Sequence, residues 1–237
     1  MQALVDTTAA PGAASARPRD VPPTLAARYD AVRARTVALV ASLDAEDMVV
    51  QSMPDASPAK WHLAHTTWFF ETFLLGPNVP GYDVFDPVFA YLFNSYYEAV
   101  GPRHPRPLRG LLTRPTTSHV MAYRAHVDGA MRALIATGVP AGLEPLLRLG
   151  LAHEEQHQEL LVMDVQHLFA QSPLKPAFDP AWPSPEAEGA GRFRPVGGGP
   201  VRIGAVDEAF TFDNEGPMHT AWLEPFEIAD RLVTNGQ

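Results

Sequence analysis

Within the apolar, leucine-rich run from Leu146 to Phe169 stands His153-Glu154-Glu155-Gln156-His157, and no other feature narrows the fold so far. On a helix, residues at i and i+4 share a face with Cβ atoms roughly 5 to 6 Å apart. Both imidazoles can then converge on one ion at about 2.0 to 2.1 Å from each nitrogen. A pair at this spacing is more often coincidence than ligand, so context decides. The stripe His153, His157, Leu160, Asp164 and Leu168 mixes ligand-type and apolar residues on a core-facing side. Unpaired polar groups there would be costly, and a metal would satisfy them. The contiguous His153-Glu154-Glu155-Gln156-His157 also formally fits the His-Glu-x-x-His pattern of zinc proteases. That reading ranks lower, because its glutamate must face a metal-bound water from a cleft helix, whereas this helix reads as part of a bundle.

A third ligand is sought in Ser57-Pro58-Ala59-Lys60-Trp61-His62-Leu63-Ala64-His65-Thr66-Thr67-Trp68. Ser57 followed by proline reads as a helix start. His62 and His65 lie three apart on one face, so spacing does not choose between them. His65 shares its stripe with Trp68, Phe69 and Thr72.

The chain has 237 residues, enough for one large domain or one domain and part of a second. Its net charge of −9 argues against a nucleic-acid backbone or an anionic membrane as partner, since both require surplus lysine and arginine. With no cysteine, any metal site must use nitrogen and oxygen donors. No apolar run approaches the length of a spanning helix, and Met1 to Asp20 carries no secretory core. A cytoplasmic location is expected.

Residues 1–23 read as a disordered segment. Leu25, Tyr29, Val32, Leu39 and Leu43 then mark a first helix to about Leu43, and a second runs from Ser57 to Leu75, stopped by Gly76-Pro77. Asn78 to Thr117 is a long irregular stretch of the kind that often carries function. Ser118 is expected to cap a third helix, which Gly138 stops. The fourth spans about Glu144 to Ala170. Four amphipathic helices suggest a bundle over residues 24–171, in whose core facing helices assemble metal sites. Residues 172–200, rich in proline and ending in Gly197-Gly198-Gly199, read as a linker. Beyond it, at 201–237, Val201–Gly204, Phe210–Phe212 and Trp222–Leu223 read as strands of a second domain begun and not completed.

Four segments together resemble the ergothioneine-biosynthesis sulfoxide synthases: Ser57 to Thr72, Tyr91 to Glu98, His153 to Glu159, and Phe212-Asp213-Asn214-Glu215-Gly216-Pro217. The resemblance runs from about residue 24 to the end. It implies a mainly α chain, with a DinB-like four-helix bundle followed by the start of an incomplete α+β domain similar to formylglycine-generating enzymes. It further implies a mononuclear non-haem Fe(II) on three histidines, which map onto His65, His153 and His157. Gln156 matches a position that touches the imidazole of the trimethylated histidine substrate, hercynine. The co-substrates implied are dioxygen and a thiol, cysteine or γ-glutamylcysteine, and the product is a carbon–sulfur bond oxidised to a sulfoxide. The family's proton-donating tyrosine belongs to positions beyond Gln237, so no catalytic residue is assigned within this chain.

The residues suit that chemistry. Three neutral imidazoles leave the ferrous charge uncompensated and leave positions open to exogenous ligands, a thiolate among them. Protonation of those nitrogens predicts metal loss below about pH 6.5. Arg103, Arg106 and Arg109, set among prolines, form a candidate clamp for a co-substrate carboxylate, with a solvated basic loop as the alternative. Tyr96 and Tyr97 either pack over the site or fill core. Asp164 is a candidate for orienting a ligand imidazole, and His62, His104, His119, His126 and His167 are expected to be structural or surface residues. Two other functions compete: a DinB-like zinc-dependent thiol transferase or hydrolase on the same histidines, and a non-catalytic metal-binding module. Oligomeric state is not legible.

Overall fold

The structure is a computed structural model in which residues 23–97, 101–181, 191–205 and 210–234 are described. The segment expected to be disordered lies, up to residue 22, outside the described residues, as does Glu98.

Four helices form the body: α1 (Leu25–Leu39), α2 (Ala59–Phe69), α3 (Thr117–Ala136) and α4 (Glu144–Gln171). Helix α2 packs against both α3 and α4, and α1 lies against α4 and α3. Every residue of α2 is buried, the mark of a helix enclosed by neighbours on all sides. The helix ends follow local chemistry. Thr24 Oγ1 accepts from the Ala27 amide at 3.2 Å and caps α1. At α3 the cap is Thr116, which accepts from the His119 amide at 3.2 Å, and not Ser118 as expected. Ser118 is already one residue inside the helix, its hydroxyl 2.9 Å from that of Thr116. Gly138, with φ +93°, gives the left-handed residue that ends α3.

Three further boundaries differ from expectation. Helix α1 stops at Leu39, and Leu43 reaches the core from the turn that follows. Ser57 does not cap α2, because its hydroxyl accepts from Arg109 and its amide donates to Asp164. Gly76-Pro77 does not stop the second helix: α2 passes into a π-helical segment, Phe70–Leu75, and then one more turn, Gly76–Asn78. The changed register puts Pro77 in a first turn, where its missing N–H costs nothing. Glu71, inside the π segment, accepts from Tyr123 Oη at 2.6 Å, Tyr82 Oη at 2.8 Å and the Phe85 amide at 3.0 Å.

A buried polar knot ties the four helices together. Arg33 of α1 donates to Asp128 of α3 at 2.6 Å, Glu154 of α4 at 2.7 Å and Thr67 of α2 at 3.0 Å. Glu154 also accepts from Thr36 at 2.6 Å and Arg124 at 2.9 Å. Burial alone would raise the Glu154 pKa; Arg33, Arg124 and Thr36 outweigh it and hold it at about 2. Above the knot, α4 comes close to the π segment at Gly150, where a Cβ would meet Phe70 at 2.8 Å and Phe69 at 2.9 Å.

Beyond the helices, β1 (Phe193–Val196) pairs antiparallel with β4 (Phe226–Ala229), and β2 (Gly199–Ile203) with β3 (His219–Leu223). The expected linker to residue 200 therefore contains β1 and the start of β2. Pro195 hid β1 in the sequence, and a two-stranded ribbon tolerates proline because each strand is an edge. Phe210–Phe212, expected as a strand, is extended chain leading into a 3₁₀ turn at Asp213–Glu215. None of the described residues from 191 to 234 is buried. Among the described residues no helix is long and apolar enough to cross a membrane.

Candidate metal centre

Helix α2 supplies His65, and α4 supplies His153 and His157 one turn apart. One ring nitrogen from each lies within 4.8 Å of the others. The rings meet at 5.0 Å (His65–His153), 4.7 Å (His65–His157) and 4.6 Å (His153–His157) between centroids.

Each ring is set by its surroundings. His65 is sandwiched between Trp61, stacked at 4.5 Å, and Trp68, stacked at 5.5 Å. It donates Nδ1–H to the Phe93 carbonyl at 2.6 Å, leaving Nε2 with a free lone pair. His157 Nδ1 lies 2.9 Å from His62 Nδ1, and His62 Nε2 lies 3.1 Å from Asp164 Oδ2. His153 packs on Phe69 at 5.0 Å, and its buried Nδ1 has no hydrogen-bond partner among the described residues.

Burial first, and then the neighbouring imidazoles, push His65 and His157 well below the usual histidine range. Burial takes His153 down to about 4. All three are neutral at neutral pH, the form that ligates. A set of neutral nitrogen donors, two with Nδ1 engaged and one with an orphaned buried nitrogen, fits a divalent transition metal.

The three histidines line a cavity of about 330 Å³ shared with Ser57, Trp61, Ser95, Gln156, Arg106 and Arg109. That is room for a small ligand. Arg109 is buried over the Trp61 ring, its Cζ 3.4 Å from the centroid, and donates to Ser57 Oγ at 2.9 Å and Ser95 Oγ at 3.2 Å. It has no ion-paired carboxylate among the described residues, and burial followed by Arg106 pulls its pKa down to about 9. Arg106 donates to Tyr96 Oη and to the Asp55 carbonyl. Arg103 does not line the cavity; its guanidinium lies over the Tyr96 ring at 5.6 Å. Both tyrosines left open by the sequence border the cavity, Tyr96 mostly exposed and Tyr97 packed on Trp68, Phe69 and Phe73.

His62, expected to be structural or on the surface, is the former: it is buried inside the site and bonded to a histidine of the metal set. Its signal was its place on the His65 face. Asp164 meets that set through His62 and not directly. Glu154 is fully buried against Arg33 and Arg124 and does not line the cavity, so the zinc-protease pattern has no general base here.

The family model for the DinB superfamily matches residues 28–169, more than half of the chain, covering all four helices save their outer ends. The chain belongs to the DinB superfamily. No curated protein matches it. The DinB domain thus contains the whole histidine set, on its second and fourth long helices.

Proposed function

We propose that this DinB domain holds Fe(II) on His65, His153 and His157 and serves O2-dependent carbon–sulfur bond formation between hercynine and cysteine or γ-glutamylcysteine, giving a sulfoxide. One observation carries the reading: Arg109, buried and without an ion-paired carboxylate among the described residues, and the Arg106 guanidinium border the same cavity as four buried imidazoles, and Asp164 is the only carboxylate among the described residues that line it. Such a cavity is short of negative charge, and its ligands are expected to bring it as thiolate and carboxylate. The bound iron would supply activation of dioxygen and of the thiol sulfur.

The chain's own residues select and place the reactants. Arg109, already fixed by Ser57 and Ser95, offers its guanidinium to a carboxylate of the thiol substrate, with Arg106 beside it. Arg103, over Tyr96 and outside the cavity lining, acts at most at the mouth. Gln156, one residue before His157, presents an amide to the hercynine imidazole. Trp61, Trp68, Phe69 and Tyr97 keep water from the reacting sulfur.

The test is reconstitution: protein purified without oxygen, loaded with Fe(II), and given hercynine, each thiol in turn and O2, with the product read by mass spectrometry. A sulfoxide formed with matching O2 uptake supports the proposal. Zinc retained through purification, with thiol transfer to an electrophile and no O2 uptake, would instead establish the zinc transferase; metal uptake with no product would leave a metal-binding module.

A further inference from the structure

We infer that Asp164 and His62 form a relay that fixes the tautomer of His157, and that they thereby determine how tightly the three-histidine set holds a metal. The inference rests on the metal centre and is independent of the reaction proposed for it.

Asp164 Oδ2 accepts the Ser57 amide at 2.8 Å and faces His62 Nε2 at 3.1 Å. A carboxylate only accepts, so His62 must carry its proton on Nε2. With that proton placed, the Nδ1 of neutral His62 is an acceptor. It stands 2.9 Å from His157 Nδ1, so His157 must carry its own proton on Nδ1. The lone pair of His157 is then on Nε2, free for a metal. Reversing any one proton would set two lone pairs, or two N–H groups, against each other in a site with no room for water between them. Burial favours the neutral form of His62; the Asp164 carboxylate works against that, while Arg109 and Arg106 reinforce it.

The device differs from the one at His65, where a backbone carbonyl does the same work. It also runs across elements: Ser57 precedes α2, His62 lies on α2, and Asp164 and His157 share α4. The amide of Ser57 therefore anchors the carboxylate that sets the tautomer of a histidine two contacts away. Orienting partners of this kind typically change metal affinity by about 10–100-fold.

His62→Phe removes both contacts while filling the space. His62→Asn restores an acceptor near the former Nδ1, and Asp164→Asn removes the charge that places the first proton. For each, Co(II) affinity is read by competition with a chromophoric chelator, apo stability by thermal unfolding, and imidazole tautomers by long-range ¹H–¹⁵N spectra of the apo protein. The relay predicts that His157 is the Nδ1–H tautomer in the native chain and a mixture in His62→Phe and Asp164→Asn. It predicts about 10–100-fold weaker Co(II) binding in both, substantial recovery in His62→Asn, and a double variant no weaker than His62→Phe alone. Should His62→Phe fail to fold, Asp164→Asn and His62→Asn still decide. A native His157 protonated on Nε2, or unchanged affinity in the variants, or strictly additive losses, would overturn the relay alone. Failure of the native chain to take up one equivalent of Co(II) would overturn the centre, and the relay with it.

Discussion

Arg33 donates to Glu154 at 2.7 Å with both side chains buried, so the residue that follows a metal-set histidine is committed to joining α1 to α4. The carboxylate compensates two buried guanidinium groups at once, Arg33 and Arg124. Glu154→Gln keeps the shape and removes the compensation. Breaking a buried pair by deleting one charge costs about 3–5 kcal/mol. Urea unfolding of the apo variant should show that loss; a variant as stable as the native chain would contradict the structural role of Glu154.

Removing ligands should separate function from fold. His65→Ala, His153→Ala and His157→Ala should each weaken metal binding by two orders of magnitude or more, on the order of 3 kcal/mol, while His119→Ala and His126→Ala, on the exposed face of α3, leave it unchanged. Metal content after dialysis against a chelator distinguishes the two groups. Equal retention across all five would argue against the assignment.

The buried histidines make the apo protein sensitive to acid. Burial lowers His153 to about 4, and lowers His65 and His157 well below their ordinary value. In the unfolded chain these groups bind protons near pH 6.5. Between about 6.5 and 4 the unfolded state therefore holds more protons, and stability falls as pH falls, at about 1.4 kcal/mol per pH unit for each such histidine. Metal release on acidification should follow the same direction. Unfolding free energies measured across this window check the sign; constant stability from pH 7 to 5 would contradict neutral burial.

Arg109→Met should raise the KM for the thiol substrate by about 10–100-fold, the loss of a charged hydrogen bond worth about 1.5–3 kcal/mol, without weakening metal binding. Arg103→Ala should change KM little. Steady-state kinetics of both variants test the difference, and a larger effect from Arg103 would relocate the clamp.

Gly150→Ala should destabilise the fold by about 1–3 kcal/mol, because the added methyl would press on Phe69 and Phe70. Thermal unfolding measures it. No change would mean that α4 and the π segment part without cost.

Much of this arrangement was legible in the residues, for identifiable reasons. The apolar periodicity around Tyr29 and Val32, and around Tyr123, Val127 and Met131, reports a helix facing a core, and that face is where these residues lie; on α4 the core residues are Leu147, Leu151, Leu161 and Val165, beside the stripe of Leu160 and Leu168 and not along it. The i, i+4 histidine pair needed only a helix to become two members of a set. His62 against His65 was undecidable by spacing because both do face the centre, one as a member and one as the bond behind His157. The rest depends on partners distant in sequence. Glu154 looks like a base until Arg33, Arg124 and Thr36 are brought to it from three other turns of helix. Tyr82, Phe85 and Tyr123 converge on Glu71 inside the π segment, and none of them is a local signal in the sequence. β1 reads as linker because its partner, Phe226–Ala229, lies over thirty residues away.

The central claim, one ion held by imidazoles of two helices, is tested most directly by X-ray absorption at the iron edge of the Fe(II)-loaded protein. Three imidazole scatterers in the native chain, falling to two in His65→Ala, is the predicted result. A first shell of oxygen atoms alone, or the same imidazole count after substitution of His65, would contradict it.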